Sequence, residues 1–148
     1  MSDIKAAFDR IHWRYGDKDA SALDELEARI ASAGRRRGLA TYSDLVRGIT
    51  FDLPNVKQPP FQIDVTDWRD FDRAVIGDFL GYISERSYDK AGFFASALVV
   101  GKLDGSPGWG YYDLLKQLDL IPAAQSEEAL GMWADHVRKA HTWFERHR

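Results

Sequence analysis

The basic triplet Arg35-Arg36-Arg37 is the most concentrated set of chemically capable side chains in the sequence. Guanidinium groups form bidentate hydrogen bonds with phosphates, so the triplet could hold a nucleic-acid backbone, which positions a protein without specifying a base sequence. Alternatively, the triplet is a solvated helix end, because cations there complement the helix dipole. The predicted nucleic-acid contacts are Arg35, Arg36, Arg37, Thr41, Ser43 and Lys102.

The glycine-rich segment 101–110 is a second candidate for contact with an anion. A helix that begins near Trp109 would offer backbone N–H groups to an anion at its N-terminus. The segment lacks the glycine spacing of a P-loop and of a dinucleotide-binding loop. A tight turn that needs positive φ is the alternative interpretation. If nucleic acid binds, Lys102 would contact a phosphate from the edge of this turn.

The titratable and nucleophilic residues form no constellation that predicts a reaction. His136 and His141 are five residues apart, whereas metal-binding pairs on a helix are spaced by three or four. His141 falls on an apolar stripe, which favours a hydrogen-bonded core or interface histidine. The absence of cysteine excludes disulfides, thiolate zinc sites and a cysteine nucleophile. Ser96 lacks a Gly-x-Ser-x-Gly motif, so we predict packing for it, and we expect no catalytic residue, metal or cofactor.

Two adjacent aromatic residues near the end of the chain predict a contact with a partner protein. Trp143 and Phe144 lie on the last predicted helix, and neighbouring residues on a helix project in different directions. We therefore expect that they cannot both point inward and that one of them faces a partner. Exposed aromatic side chains of this kind are typical of interfaces.

Apolar spacing, caps and turn residues predict the elements that must position these side chains. Trp68 and Phe71 begin the strongest apolar stripe, on a long helix in which Gly77 and Gly81 predict a close approach by a neighbour. The predicted helices are 3–15, 21–34 with an N-cap at Ser21, 41–48 with an N-cap at Thr41 or Ser43, 66–86 with an N-cap at Thr66, 111–118, and one that follows a cap at Ser126. The predicted strands are 49–53, 61–65 and the continuously apolar 93–100.

The segment Gly38–Leu45 (Gly-Leu-Ala-Thr-Tyr-Ser-Asp-Leu) places a turn and a Thr-Tyr-x-x-Leu helix start after the second predicted helix. It resembles the start of winged helix-turn-helix domains, such as the DNA-binding domains of alkyltransferase-type proteins. The resemblance implies that 66–86 is the third helix and that 93–110 forms the wing. Alkyl transfer itself is excluded, because the Pro-Cys-His-Arg motif is absent and the chain has no cysteine.

The segment Ser96–Lys102 (Ser-Ala-Leu-Val-Val-Gly-Lys) and the following Pro-Gly-x-Gly-aromatic-aromatic turn carry a second resemblance. They are similar to a pattern in a family of small bacterial proteins whose activity is uncharacterised, in which a strand and a turn lead into a helix. This resemblance implies a bacterial regulatory or defence role.

Together, these elements predict a mainly α fold with a small antiparallel β element, of the α+β class, in which a winged-helix-like core has flanking N- and C-terminal helices. The length of 148 residues fits a single domain spanning 1–148. Within it we expect the N-terminal helix in 1–20, the core in 21–120 and the C-terminal helix in 121–148.

Charge limits the functions that this fold could serve. The chain has 20 Lys and Arg against 23 Asp and Glu, a net charge of -3, whereas a protein that grips phosphates is usually basic over the contacting surface. The predicted helix 66–86 holds more acidic than basic side chains, which makes it a poor reader of DNA bases. No apolar run approaches the roughly 18 residues that span a bilayer. The start of the chain also lacks a signal-peptide pattern, so we expect a cytoplasmic protein without membrane contact.

Three functions remain open from the sequence. The first is a non-enzymatic winged-helix-like module that binds nucleic acid weakly and without sequence preference. The second is a protein-interaction module or accessory subunit that has lost DNA reading, and that docks a partner through residues 66–86 and the C-terminal helix. The acidic long helix favours the second and the basic triplet favours the first. The third is an enzyme whose site the sequence does not reveal.

Overall fold

The computed structural model describes residues 4–101, 107–120 and 127–147. These residues are mainly helical with short strands, so the predicted α+β class is confirmed. The helices are α1 (Ile4–Asp9), α2 (Ala20–Arg35), α3 (Tyr42–Val46), α4 (Asp70–Ala91), α5 (Trp109–Gln117) and α6 (Glu127–Arg146). The strands are β1 (Ala40–Thr41), β2 (Phe51–Leu53), β3 (Lys57–Phe61) and β4 (Val99–Val100).

Helix α2 begins after Asp19, so the predicted cap at Ser21 is wrong by two residues. One Asp19 carboxylate oxygen accepts from the Ala22 backbone N–H at 3.1 Å, as an N-cap does. The other oxygen accepts from the Asp52 N–H at 2.7 Å and thereby ties β2 to the start of α2. Asp19 is buried in this position. The helix ends at Arg35, and Arg37 adopts a left-handed φ of 53°, in agreement with the predicted stop near Gly34 or Gly38.

Helix α4 begins at Asp70, and the predicted cap at Thr66 is wrong. The Asp72 carboxylate accepts from the Arg69 backbone N–H at 3.0 Å, which satisfies a donor at the helix start. The Thr66 hydroxyl instead donates to Asp64 at 2.6 Å in the preceding turn. The helix continues to Gly92, whose φ of 79° ends it several residues beyond the predicted limit.

The antiparallel hairpin of β2 and β3 pairs Phe51 with Phe61, and the two rings stack 5.7 Å apart. The predicted strand over 61–65 is wrong, because the pairing partner of β2 is 57–61. The turn between Leu53 and Lys57 is short, and turn length fixes which residues of a hairpin lie opposite each other.

The apolar segment 93–100 is buried throughout, but the prediction that it forms one strand is wrong. Only β4 is a strand, and it pairs in parallel with β1. Residues Ala95–Leu98 form a 3-10 helix, because side chains take the backbone donors that a strand would offer to a neighbouring strand. The Phe94 N–H donates to His136 Nδ1 at 2.9 Å, the Ala95 N–H to Ser87 Oγ at 3.0 Å and the Ser96 N–H to Ser84 Oγ at 3.1 Å.

The predicted close approach at the α4 glycines is confirmed. A Cβ on Gly81 would lie 2.6 Å from the Trp13 indole, and one on Gly77 would lie 3.2 Å from Trp109. Glycine costs helix stability, and here that cost is offset because two tryptophan rings lie directly against the helix backbone.

Two apolar clusters make up the core. The larger one joins α2, α3, the hairpin, α4 and the end of α6, and Phe93 belongs to it. The smaller one joins α1, α5 and the first half of α6, and Phe94 belongs to it. Trp68 and Phe71 are only half-buried against the larger cluster, so the expected inward stripe of α4 begins later, at Val75.

The hairpin precedes α4 along the chain, whereas the winged-helix interpretation placed a wing after the long helix, at 93–110. Val100 and Pro107 form an isolated antiparallel bridge, and residues 102–106 between them lie outside the described residues. The winged-helix resemblance stays a prediction. Within the described ranges, no helix combines the length and the apolar character that crossing a bilayer requires.

Candidate binding groove

A groove of about 760 Å³ lies between α2, α4 and α6. Sites for small ligands and short peptide segments have volumes of about 300–1,000 Å³, usually with apolar walls and a few polar groups. This groove has that character, because Ile30 and Ala31 of α2 and Ile83 of α4 lie between charged side chains. We call it the α2–α4–α6 groove.

Three aromatic rings form one wall of the groove. Phe93 lies 6.1 Å from the Trp143 ring and 5.7 Å from the Phe144 ring, measured between ring centroids. Phe144 lies directly against the backbone of Gly34, where a Cβ would come within 2.4 Å of the ring. Gly34 therefore lets α6 approach α2 closely enough to close this side of the groove.

The last residue of α2, Arg35, lines the groove and is half-buried. Its Nε atom is buried and makes no hydrogen bond to any described residue. A buried donor without an acceptor costs roughly 1–3 kcal/mol. Arg35 also has no ion pair and no cation–π contact among the described residues, so its charge is available to a ligand.

The other basic groups of the groove already have contacts within the protein. Arg86 donates to Glu27 at 2.9 Å across α2 and α4, and this pairing raises the pKa of the guanidinium. The Lys90 ammonium lies 5.7 Å from the centre of the Trp143 ring, within the range of a cation–π contact. Two exposed acids, Asp24 and Asp89, also line the groove, so its charged residues comprise three acids and three bases.

The structure separates the residues of the basic triplet. Arg35 faces the groove, while Arg36 is exposed and donates through Nε to the Ser32 carbonyl at 3.1 Å. Arg37 lies 3.4 Å from Glu145 of α6 in an ion pair between exposed side chains. The three guanidinium groups therefore have three different environments.

The remaining predicted nucleic-acid contacts are Thr41, Ser43 and Lys102. Thr41 caps α3, as predicted, by accepting from the Asp44 N–H at 3.1 Å. Ser43 is half-buried in the first turn of α3. Lys102 lies outside the described residues.

The expectation that Trp143 and Phe144 cannot both point inward is wrong. Both rings contact Phe93, and their own planes meet edge to face at 86°. Both side chains remain half-buried, so each keeps a solvent-accessible part in the groove.

The N-terminus of α5, a predicted anion contact, is partly occupied by the protein itself. The Gly110 N–H donates to the Tyr42 hydroxyl at 2.9 Å. Burial raises the pKa of this phenol above its usual value, so the hydroxyl is protonated. Tyr42 therefore takes one of the backbone donors that an anion would need.

The two buried histidines have structural contacts. His141 is buried and its Nε2 lies 2.8 Å from the Gly38 carbonyl oxygen, as predicted for a hydrogen-bonded core histidine. His136 stacks on Phe94 at 4.3 Å, and burial lowers its pKa to about 4.

The buried Ser96 hydroxyl lies 2.8 Å from that of Ser84, in keeping with a packing role. Among the described residues, no group of three His, Asp or Glu side chains is placed to hold a metal ion.

A second, smaller cleft of about 220 Å³ lies beside Gly77 and Gly81 of α4. Asp78 in this cleft accepts from the backbone N–H groups of Tyr15 and Gly16 at 2.8 and 2.7 Å, so its carboxylate already holds the loop after α1. The Asp78 carboxylate in this cleft therefore has a structural role.

No protein-family model, curated protein or solved structure matches the chain. The sequence predicted Arg35, Trp143 and Phe144 as contacts for two different kinds of partner, and the structure places all three in one groove. It gave no sign of Arg86 and Lys90 as groove residues, because their place depends on how α4 packs between α2 and α6.

Proposed function

We propose that this chain is a non-enzymatic interaction module that docks a short segment of a partner protein in the α2–α4–α6 groove. The observation that carries the proposal is the aromatic wall, in which the half-buried Trp143 and Phe144 pack on the buried Phe93, beside Arg35, which has no ion pair among the described residues. Aromatic residues and arginine are the side chains that most often dominate the energy of protein interfaces. The predicted partner contacts Trp143 and Phe144 belong to this wall.

The charge of the groove favours a protein segment over a nucleic acid. Binding to a phosphate backbone requires a surface that is predominantly basic. The groove instead has the acids Asp24 and Asp89 at its exposed edge, and Arg86 is already paired with Glu27. Such a mixture is complementary to a polypeptide, whose charges are few and of both signs.

The volume of the groove indicates which side chains the partner segment places in it. About 760 Å³ accommodates a few side chains, of which at least one should be bulky and apolar to displace water from the half-buried Ala31, Trp143 and Phe144. We therefore expect that two or three residues of the partner segment enter the groove, in a turn or in an extended conformation. One of them should be a leucine or phenylalanine that anchors the segment.

A backbone-amide NMR titration tests this function with a capped peptide, acetyl-Gly-Ser-Leu-Phe-Ser-Gly-amide. We expect shifts at residues that line the groove and a roughly tenfold loss of affinity in Ala31→Gln, because the longer side chain fills the groove. Ser32→Gln is the matched control, since Ser32 is the next residue of α2, is exposed and lies outside the groove.

A short DNA duplex serves as the competing probe. If the duplex shifts Arg36 and Arg37 with a steep salt dependence while the peptide shifts nothing in the groove, the module binds nucleic acid and our proposal is wrong. Peptide-induced shifts outside the groove, or equal binding by Ala31→Gln and the unaltered chain, would also overturn it.

A further inference from the structure

We infer that the segment held in the α2–α4–α6 groove presents a single carboxylate to the Arg35 guanidinium, next to its apolar anchor. This inference rests on the proposed function and specifies the chemistry of the ligand. Arg35 thereby determines specificity, while the aromatic wall supplies affinity.

The contacts of the neighbouring bases single out Arg35. Arg86 is engaged by Glu27, and Arg37 is engaged by Glu145 outside the groove. Arg35 has neither an ion pair nor a hydrogen bond from Nε among the described residues, although that nitrogen is removed from solvent. An acceptor that enters the groove would pair with the charge of this guanidinium through its terminal nitrogens, and the bond would be charge-assisted.

Geometry favours a carboxylate as that acceptor. The two terminal nitrogens of a guanidinium form a planar fork that matches the two oxygens of a carboxylate. Arg35 is half-buried and lines the groove, so we place the carboxylate at this end of its side chain. The aromatic wall beside Arg35 then receives the adjacent apolar side chain.

Charge favours a single carboxylate over a phosphate. A phosphorylated side chain brings a charge of about -1.5 to -2, and repulsion by nearby acids opposes its binding. Three acids line this groove, and two of them, Asp24 and Asp89, have no cation within ion-pair distance among the described residues. A glutamate or aspartate side chain carries a single negative charge, so the nearby acids repel it less.

The test compares three capped peptides that differ at one position: acetyl-Gly-X-Leu-Phe-Ser-Gly-amide, where X is glutamate, glutamine or phosphoserine. We expect the glutamate peptide to bind about tenfold more tightly than the glutamine peptide, and the phosphoserine peptide to bind less tightly than the glutamate peptide. Arg35→Gln should abolish the preference for glutamate over glutamine. Arg36→Gln should keep the preference, because Arg36 does not line the groove.

The outcomes separate this inference from the function on which it rests. Equal binding of the glutamate and glutamine peptides in the groove would overturn the inference and leave the proposed function standing. Tighter binding of the phosphoserine peptide than of the glutamate peptide would show that the groove prefers a phosphate, and would overturn the inference. If no peptide binds in the groove, the function and the inference both fail. Thermal unfolding of Arg35→Gln checks that its loss of preference does not come from misfolding.

Discussion

The Tyr42 hydroxyl accepts a hydrogen bond from the Gly110 backbone N–H at 2.9 Å, across 68 residues of chain. The Tyr42 ring also stacks on Trp109, with centroids 4.7 Å apart and planes 10° from parallel. Gly108 allows this approach, because a Cβ there would lie 2.1 Å from the Tyr42 oxygen. One side chain thus joins α3 to the start of α5 by both a polar and an aromatic contact.

Removing this hydroxyl should destabilise the fold. Tyr42→Phe leaves the Gly110 N–H without its acceptor in a buried place, at an expected cost of about 1–3 kcal/mol in the free energy of unfolding. Tyr111→Phe is the matched control, because the Tyr111 hydroxyl is buried and has no hydrogen-bond partner among the described residues. Urea denaturation should show a loss for Tyr42→Phe and no loss for Tyr111→Phe. Equal effects of the two changes would contradict the assigned bond.

Acid should weaken the fold through His136. Its Nδ1 accepts from the Phe94 N–H and must be unprotonated to do so, and burial lowers the pKa to about 4 from 6.5. As the pH falls, His136 is therefore protonated near pH 6.5 in the unfolded chain but only near pH 4 in the folded chain. Between these values stability falls as pH falls, by on the order of 3 kcal/mol in total, and below them this group has no further effect.

Comparison with His136→Asn isolates this contribution. Asparagine keeps an acceptor near the position of Nδ1 but does not titrate. The free energy of unfolding, measured by urea denaturation at several pH values, should decline less steeply in the variant between pH 6.5 and 4. Parallel curves for the two proteins would mean that His136 titrates normally in the folded state.

Alanine substitutions at two of the helix glycines, Gly81 and Gly131, should change the stability of the fold in opposite directions. A Cβ on Gly81 would lie 2.6 Å from the Trp13 ring, so Gly81→Ala must displace the indole, at a cost of roughly 1–3 kcal/mol. A Cβ on Gly131 meets nothing within 4 Å, so Gly131→Ala should stabilise α6 by about 1 kcal/mol. Thermal unfolding midpoints that shift upward for both variants would show that Trp13 does not pack against α4 as described.

Truncation of two phenylalanines on α4 should distinguish the inner side of the helix from its edge. Phe79 is fully buried, and Phe79→Ala should cost about 3–5 kcal/mol because it leaves a cavity. Phe71 is half-buried, so Phe71→Ala should cost less. Chemical denaturation of the two variants measures the difference, and a larger loss for Phe71→Ala would reverse our assignment of the buried face.

Apolar periodicity predicted most of the helices, because an amphipathic helix is encoded by spacing that is local in the sequence. The Thr41 cap, the stop of α2 and the close approach at Gly77 and Gly81 follow from such local patterns. The segment 93–100 shows where local patterns fail. Its apolar residues predicted burial correctly, but its conformation depends on acceptors from Ser84, Ser87 and His136, which no pattern within the segment reveals.

The candidate groove was predicted only as separate pieces. Arg35 and Phe144 are each unusual in their local sequence, which drew attention to both. Their meeting depends on Gly34, which admits the Phe144 ring against α2 over more than a hundred residues of chain. The glycine can be read from the sequence, but the orientation of α6 against α2 cannot. The groove that Arg35 and Phe144 share is therefore visible only in the folded structure.

Phe93 and Phe94 are consecutive residues that belong to different apolar clusters. The backbone between them connects the two clusters directly, so we expect the two halves of the core, and the aromatic wall with them, to unfold as one cooperative unit. Whatever binds at that wall therefore stabilises the whole chain against unfolding, including helices that it never touches.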